Sequence, residues 1–157
     1  MPILKRLAPV RLSSFGDMEC YVQGTSLCKS GQFRFGRSEV VFQVKVTLVY
    51  RRAWTFQCTL SGVEHLRRQL LANVHDDEFC SQLETLACPK RPMFRRRDTQ
   101  VIKGMCCELD HYLGNFLRLC QNYNSTASRE EAAVVETAIR DFMRPSKSMS
   151  KKNIFNN

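Results

Sequence analysis

The clearest pattern in the chain is the alternation in "VVFQVKVTLV". Val40, Phe42, Val44, Val46 and Leu48 share one face at period two, and Gln43, Lys45 and Thr47 share the other. The run predicts a half-buried strand over 40–49. "AWTFQCTL" alternates again, with Trp54, Phe56, Cys58 and Leu60 on one side, so the two runs predict an antiparallel hairpin turned at "YRR", Tyr50 to Arg52. "MECYVQG", Met18 to Gly24, predicts a first strand. "TSLCKSG" after it is turn-like, and "QFRF", Gln32 to Phe35, is a short extended piece.

Beyond Leu60 the period changes to that of helices. Ser61 and Glu64 form a capping box, and Val63, Leu66, Leu70 and Val74 follow as a buried stripe. "SQLE", Ser81 to Glu84, predicts a short helix that ends before "CPKRP". A long helix over 101–120 carries a wide apolar face that includes Met105, Leu109, Tyr112, Leu113, Phe116 and Cys120. "SREE", Ser128 to Glu131, caps a last helix with Val135, Ala138, Ile139 and Phe142 buried, and Pro145 ends it. No internal repeat is present. The expected division is a lead-in over 1–14, one α+β domain over 15–145 and a basic flexible tail over 146–157. The domain is a three-stranded antiparallel sheet packed against a helical subdomain.

Composition narrows the function. The 157 residues are 43% apolar, enough for one core. The 24 Lys and Arg exceed the 15 Asp and Glu, for a formal charge of +9, which favours an anionic partner. No apolar run approaches the ~20 residues of a membrane-spanning helix. "MPILKRLAPVRL" is interrupted by charge and by Pro9, unlike a secretory leader. The eight cysteines contain no Cys-x-x-Cys pair, and Cys58, Cys106 and Cys120 fall on apolar faces. They are read as structural thiols in a reducing, cytoplasmic setting, without a metal. The sequon at Asn124 is read as accidental.

Charge concentrates between Pro89 and Lys103. Lys90, Arg91, Arg95, Arg96, Arg97 and Lys103 face one acid, Asp98. Pro89 and Pro92 predict an irregular, partly extended loop. Met93 and Phe94 sit inside this basic run as candidate membrane-inserting residues. His65, His75 and His111 are accompanied by no Gly-rich phosphate loop, paired-carboxylate motif or nucleophile elbow, so an enzyme is not expected and no cofactor is assigned. "GQFRFGR" interleaves aromatics with arginine but lacks the RNP pattern, which disfavours nucleic acid.

The order of these elements resembles the PX (phox homology) domain. "LDHYLGNFL" is similar to that family's Leu-x-x-Tyr-Leu helix, "CPKR" to its proline-lysine site and "ETAIRDFM" to its closing helix. The resemblance runs over roughly 15–145 and rests on order and spacing. It implies a phosphoinositide-binding module of membrane traffic, peripheral to membranes and in some cases endosomal.

Two registers compete for the family's Arg-Arg-Tyr-Ser-x-Phe motif. With "YRRAWTF" as the motif, Arg51 or Arg52 supplies the phosphate contact, but the helix has to begin near Trp54. With "CTLSGV" as the motif, Ser61, Val63 and Leu66 match without a gap, and the helix start favours this register. Thr59 then replaces the phosphate-binding arginine, Leu60 the stacking tyrosine and Met105 a second arginine on the long helix. Lys90, with Arg91 beside it, is left as the headgroup contact. Arg95, Arg96, Arg97 and Lys103 form a membrane-facing basic surface, while Arg67 and Arg68 are read as solvated. The expected function is recognition of anionic phospholipid with weak headgroup selectivity. The alternative is a PX-like protein-interaction scaffold whose lipid pocket has decayed.

Overall fold

In a computed structural model the protein is an α+β domain, and the residues described are 15–29, 38–48, 52–91 and 98–145. Three strands, β1 (Glu19–Lys29), β2 (Ser38–Thr47) and β3 (Ala53–Cys58), form one antiparallel sheet in the order β1-β2-β3. Four helices follow among the described residues: α1 (Leu60–Asn73), α2 (Asp77–Thr85), α3 (Thr99–Thr126) and α4 (Arg129–Phe142).

The alternation of β2 and β3 places Phe42, Val44, Val46, Phe56 and Cys58 on the inner face, all buried. The Leu48 amide donates to the Arg52 carbonyl at 2.8 Å, linking the end of β2 to the start of β3, and Tyr50 and Arg51 of the turn predicted at "YRR" lie outside the described residues. β1 departs from the expectation of a strand ending at Gly24. Leu27, Cys28 and Lys29 pair with Val40, Glu39 and Ser38, so the turn-like "TSLCK" is strand. Pairing with β2 overrides the local preference of Ser26 and its neighbours. A bulge between Val22 and Gly24 shifts the register, and the Val22 amide there donates to Asp110 Oδ1 of α3 at 2.8 Å. Gln32 to Phe35 lie outside the described residues.

The helical layer closes the core. α3 packs against β1, and α4 packs against both α3 and α1. Leu109, Leu113, Phe116 and Cys120 of α3 are fully buried, together with Leu70 of α1, Leu83 of α2 and Ile139 of α4. Phe142 meets Phe56 edge-on, with centroids 5.3 Å apart, and Trp54 Nε1 donates to the Met143 carbonyl at 2.6 Å. Gln121 Nε2 reaches the carbonyls of Phe15 and Met18 at 2.9 and 2.7 Å, joining the chain before β1 to α3.

Two helix caps differ from expectation. Thr59, not Ser61, caps α1, its hydroxyl accepting from the Gly62 amide at 3.1 Å. Asp76 caps α2, accepting from the Phe79 amide at 2.9 Å, so that helix begins before Ser81. Ser128 caps α4 as predicted. α3 extends beyond 120 to include Asn124, whose Nδ2 donates to the Ala132 carbonyl at 3.2 Å.

Cys20, Cys58, Cys80, Cys88, Cys106, Cys107 and Cys120 are free thiols. Cys58 and Cys120 are buried and Cys106 is half-buried. Burial pushes the Cys20, Cys58 and Cys120 thiols up to about 12, so they stay protonated. Among the described residues no group of His, Cys, Asp and Glu is arranged to hold a metal.

Candidate anion-binding recess

α1 starts one residue after β3 ends, and the chain returns to this junction after α2. Leu60, Ser61, Glu64 and Arg67 of α1, Glu84 of α2 and the segment 86–91 enclose an open recess of about 730 Å³. Its cations are Arg67, Lys90 and Arg91, and its carboxylates are Glu64 and Glu84. Glu64 is paired with Arg68 at 2.7 Å, four residues along the helix.

Lys90 and Arg91, the headgroup contacts expected from the proline-lysine site, both line the recess with exposed side chains. Arg91 is already engaged. One Nη donates to Glu39 Oε1 of β2 at 3.0 Å and also to the Ser61 hydroxyl. Ser61, expected to cap the helix, instead anchors the proline-lysine segment. Thr59 can take the cap because its extended backbone (φ −118°, ψ 165°) directs its hydroxyl at the first turn.

Arg67 departs from expectation. The polar side of α1 predicts it solvated, yet it is half-buried and lines the recess. Its Nε is buried with no hydrogen-bond partner. The cause is helical geometry. Arg67 lies four residues after buried Val63 and three after Glu64, which puts it at the edge of the apolar stripe on the recess side. The i, i+3, i+6 spacing of Ser61, Glu64 and Arg67 is the signal in the sequence that could have found it. Arg68, one residue on, is exposed as expected.

Behind the recess wall, the Tyr112 hydroxyl is also buried without a hydrogen bond of ordinary geometry. Burial and the neighbouring Cys88 thiol raise its pKa. Cys88 lines the recess, and its own thiol is raised by burial, against the opposing pull of the Arg67 guanidinium. A protonated thiol is a poor nucleophile. His65, His75 and His111 are exposed and none lines the recess. The arrangement is suited to holding an anion.

The remaining candidates from the sequence fall elsewhere. Met105 is buried in the core and does not line the recess. Leu60 lines it while belonging to the core. Lys103 is exposed on α3 and Arg52 is exposed just before β3, and neither lines the recess. Arg51, Met93, Phe94, Arg95, Arg96 and Arg97 lie outside the described residues.

The chain matches no protein-family model and no curated protein. Among the described residues no helix is long and apolar enough to cross a membrane.

Proposed function

We propose that this chain is a PX-like module that docks peripherally on anionic phospholipid, phosphoinositide included, with weak headgroup selectivity. It serves membrane traffic or signalling on the cytoplasmic face of membranes such as endosomes. The observation that carries this reading is the recess at the β3–α1 junction, where Arg67, Lys90 and Arg91 converge. In the sequence Arg91 is followed at once by Pro92 to Arg97, so the recess is continuous in the chain with the densest basic run. Each basic residue near an anionic surface contributes about 1 kcal/mol. Arg95, Arg96 and Arg97 therefore supply most of the attraction, and Met93 and Phe94 are the residues suited to enter the interface. Thr59 caps a helix and Met105 packs the core, so neither offers a charge to a headgroup.

Sedimentation with phosphatidylcholine vesicles of rising phosphatidylserine content tests the reading. Binding should increase with anionic lipid, weaken with salt and be lost on replacing Arg95, Arg96 and Arg97 by alanine, with Arg52→Ala nearly neutral. Failure to sediment with any anionic vesicle at low salt would overturn it.

A second reading has its own support. Arg91 is held by Glu39 and Ser61, and two carboxylates stand in the recess wall, as suits a scaffold that binds protein. The same vesicles separate the two, because a protein scaffold leaves them unbound at every lipid composition.

A further inference from the structure

The two edges of the sheet are treated differently. Across β2 and β3, Thr47 faces Ala53, Lys45 faces Thr55 and Gln43 faces Gln57. The bond from the Leu48 amide to the Arg52 carbonyl sets the parity of this ladder. Bonded and non-bonded positions alternate in an antiparallel pair, so the backbone of Trp54, Phe56 and Cys58 bonds to β2. The N–H and C=O groups of Ala53, Thr55 and Gln57 point the other way, to the open side of β3. Among the described residues no strand pairs there and no side chain bonds to these groups.

β1 is the contrasting edge. The same parity turns the Val22 amide outwards beside the bulge, where Asp110 Oδ1 accepts it at 2.8 Å, and α3 packs against the strand. Folded proteins commonly blunt an edge strand with charge, proline, a bulge or a covering element. β3, "AWTFQC", has no charge, no proline and no bulge. It is an edge to which a further strand can add through its main chain.

The surroundings of this edge select the occupant. On the inner face Trp54 is half-buried beside buried Phe56, which suits an apolar neighbour. On the outer face Lys45 stands opposite Thr55, and Arg52 is exposed at the start of the strand. Neither cation makes an ion pair among the described residues. A second copy of the chain brings a charge of +9 against +9. Residues 146–157, which follow Met143 and its bond to Trp54, carry Lys147, Lys151 and Lys152 and no acid. Charge therefore disfavours both as occupants and favours an acidic segment.

We infer that the open edge of β3 is a docking site for an extended acidic segment of a partner protein. The segment adds as a fourth strand, with apolar residues on the face of Trp54, carboxylates on the face of Lys45 and Arg52 at the strand's end. Main-chain bonds to Ala53, Thr55 and Gln57 supply the attachment, and the alternating side chains supply the selection. Lys45, Arg52, Trp54 and Thr55 do not line the recess, so the inference rests on neither reading of it.

Titration calorimetry of the full chain with the peptide Glu-Val-Glu-Ile-Glu-Val-Glu tests the site. The peptide should bind, and weaken with salt. It should bind more tightly than Lys-Val-Lys-Ile-Lys-Val-Lys and than its own variant with proline for isoleucine. Emission from Trp54 should shift to the blue as the added strand covers the indole. Thr55→Pro removes an amide that faces away from β2, a position where a strand accepts proline. It should weaken the peptide about tenfold or more. Arg52→Gln and Lys45→Gln should each weaken it about twofold to fivefold, and they serve if the proline variant folds poorly. Arg68→Gln should bind as wild type.

Amide hydrogen exchange reads the edge directly. In the free chain the Thr55 and Gln57 amides should exchange faster than those of Trp54 and Phe56, and the peptide should protect them. No binding of the acidic peptide, equal binding of the lysine peptide, or wild-type affinity in Thr55→Pro would overturn the inference. Protection of Thr55 and Gln57 in a free monomer would assign the edge to the chain's own residues. Protection that appears with dimerisation in sedimentation equilibrium would assign it to a second copy. Either result would overturn the acidic partner.

Discussion

α1 and α4 are both fourteen residues long and pack against each other, but they carry charge in opposite ways. α4 begins with Ser128, holds Glu130 and Glu131 in its first turn and Arg140 in its last, and so complements its own dipole at both ends. α1 begins with Thr59 and has no acid in its first turn and no base in its last. Its cations lie in mid-helix instead, Arg68 paired to Glu64 and Arg67 turned into the recess. α4 is thus complete as a packing element. α1 packs equally well but retains a guanidinium nitrogen that none of the described residues satisfies.

The largest test of this contrast is in the core. Ile139 and Leu70 are both fully buried, so Ile139→Ala and Leu70→Ala should each cost about 2–5 kcal/mol in urea denaturation. A near-neutral Ile139→Ala would deny α4 its packing role. The caps come next. Thr59→Ala and Ser128→Ala should each cost about 1 kcal/mol by the same measurement. A neutral Thr59→Ala with a costly Ser61→Ala would return the cap to Ser61 and dissolve the account of Arg91. Smallest is Arg68→Gln, whose pair with Glu64 is largely exposed and should shift stability by less than about 0.5 kcal/mol.

The sheet beneath α1 has a pH signature of its own. Burial lifts the Cys20 and Cys58 thiols from an ordinary 9.0 to about 12. The unfolded chain therefore releases these protons at lower pH than the folded chain does. Their contribution is whole below pH 9 and is lost as pH rises towards 12. Thermal unfolding followed across that range should show a decline that Cys58→Ala reduces.

Much of the architecture is legible in the sequence because its signals are local. The alternation from Val40 to Leu48 and from Trp54 to Cys58 requires only a two-residue period, and "SREE" announces α4 by itself. Legibility fails where two candidates stand side by side or where partners are distant. Thr59 and Ser61 are both good caps, and Arg91, thirty residues away, draws Ser61 into another bond. Asp76 likewise outcompetes Ser81. "TSLCK" reads as a turn until β2 lies beside it. At the recess, Lys90 can be read from its proline, whereas Arg67 is hidden among polar neighbours by an angular offset of less than one residue on the helix.

The bond from Trp54 Nε1 to the Met143 carbonyl has a spectroscopic consequence. The chain has one tryptophan, and its indole is half-buried where β3 meets the residue that closes α4. Its fluorescence therefore originates at a single seam. Separation of α4 from the sheet exposes the indole and shifts its emission to the red, so the protein carries an intrinsic optical reporter of whether its last helix is docked.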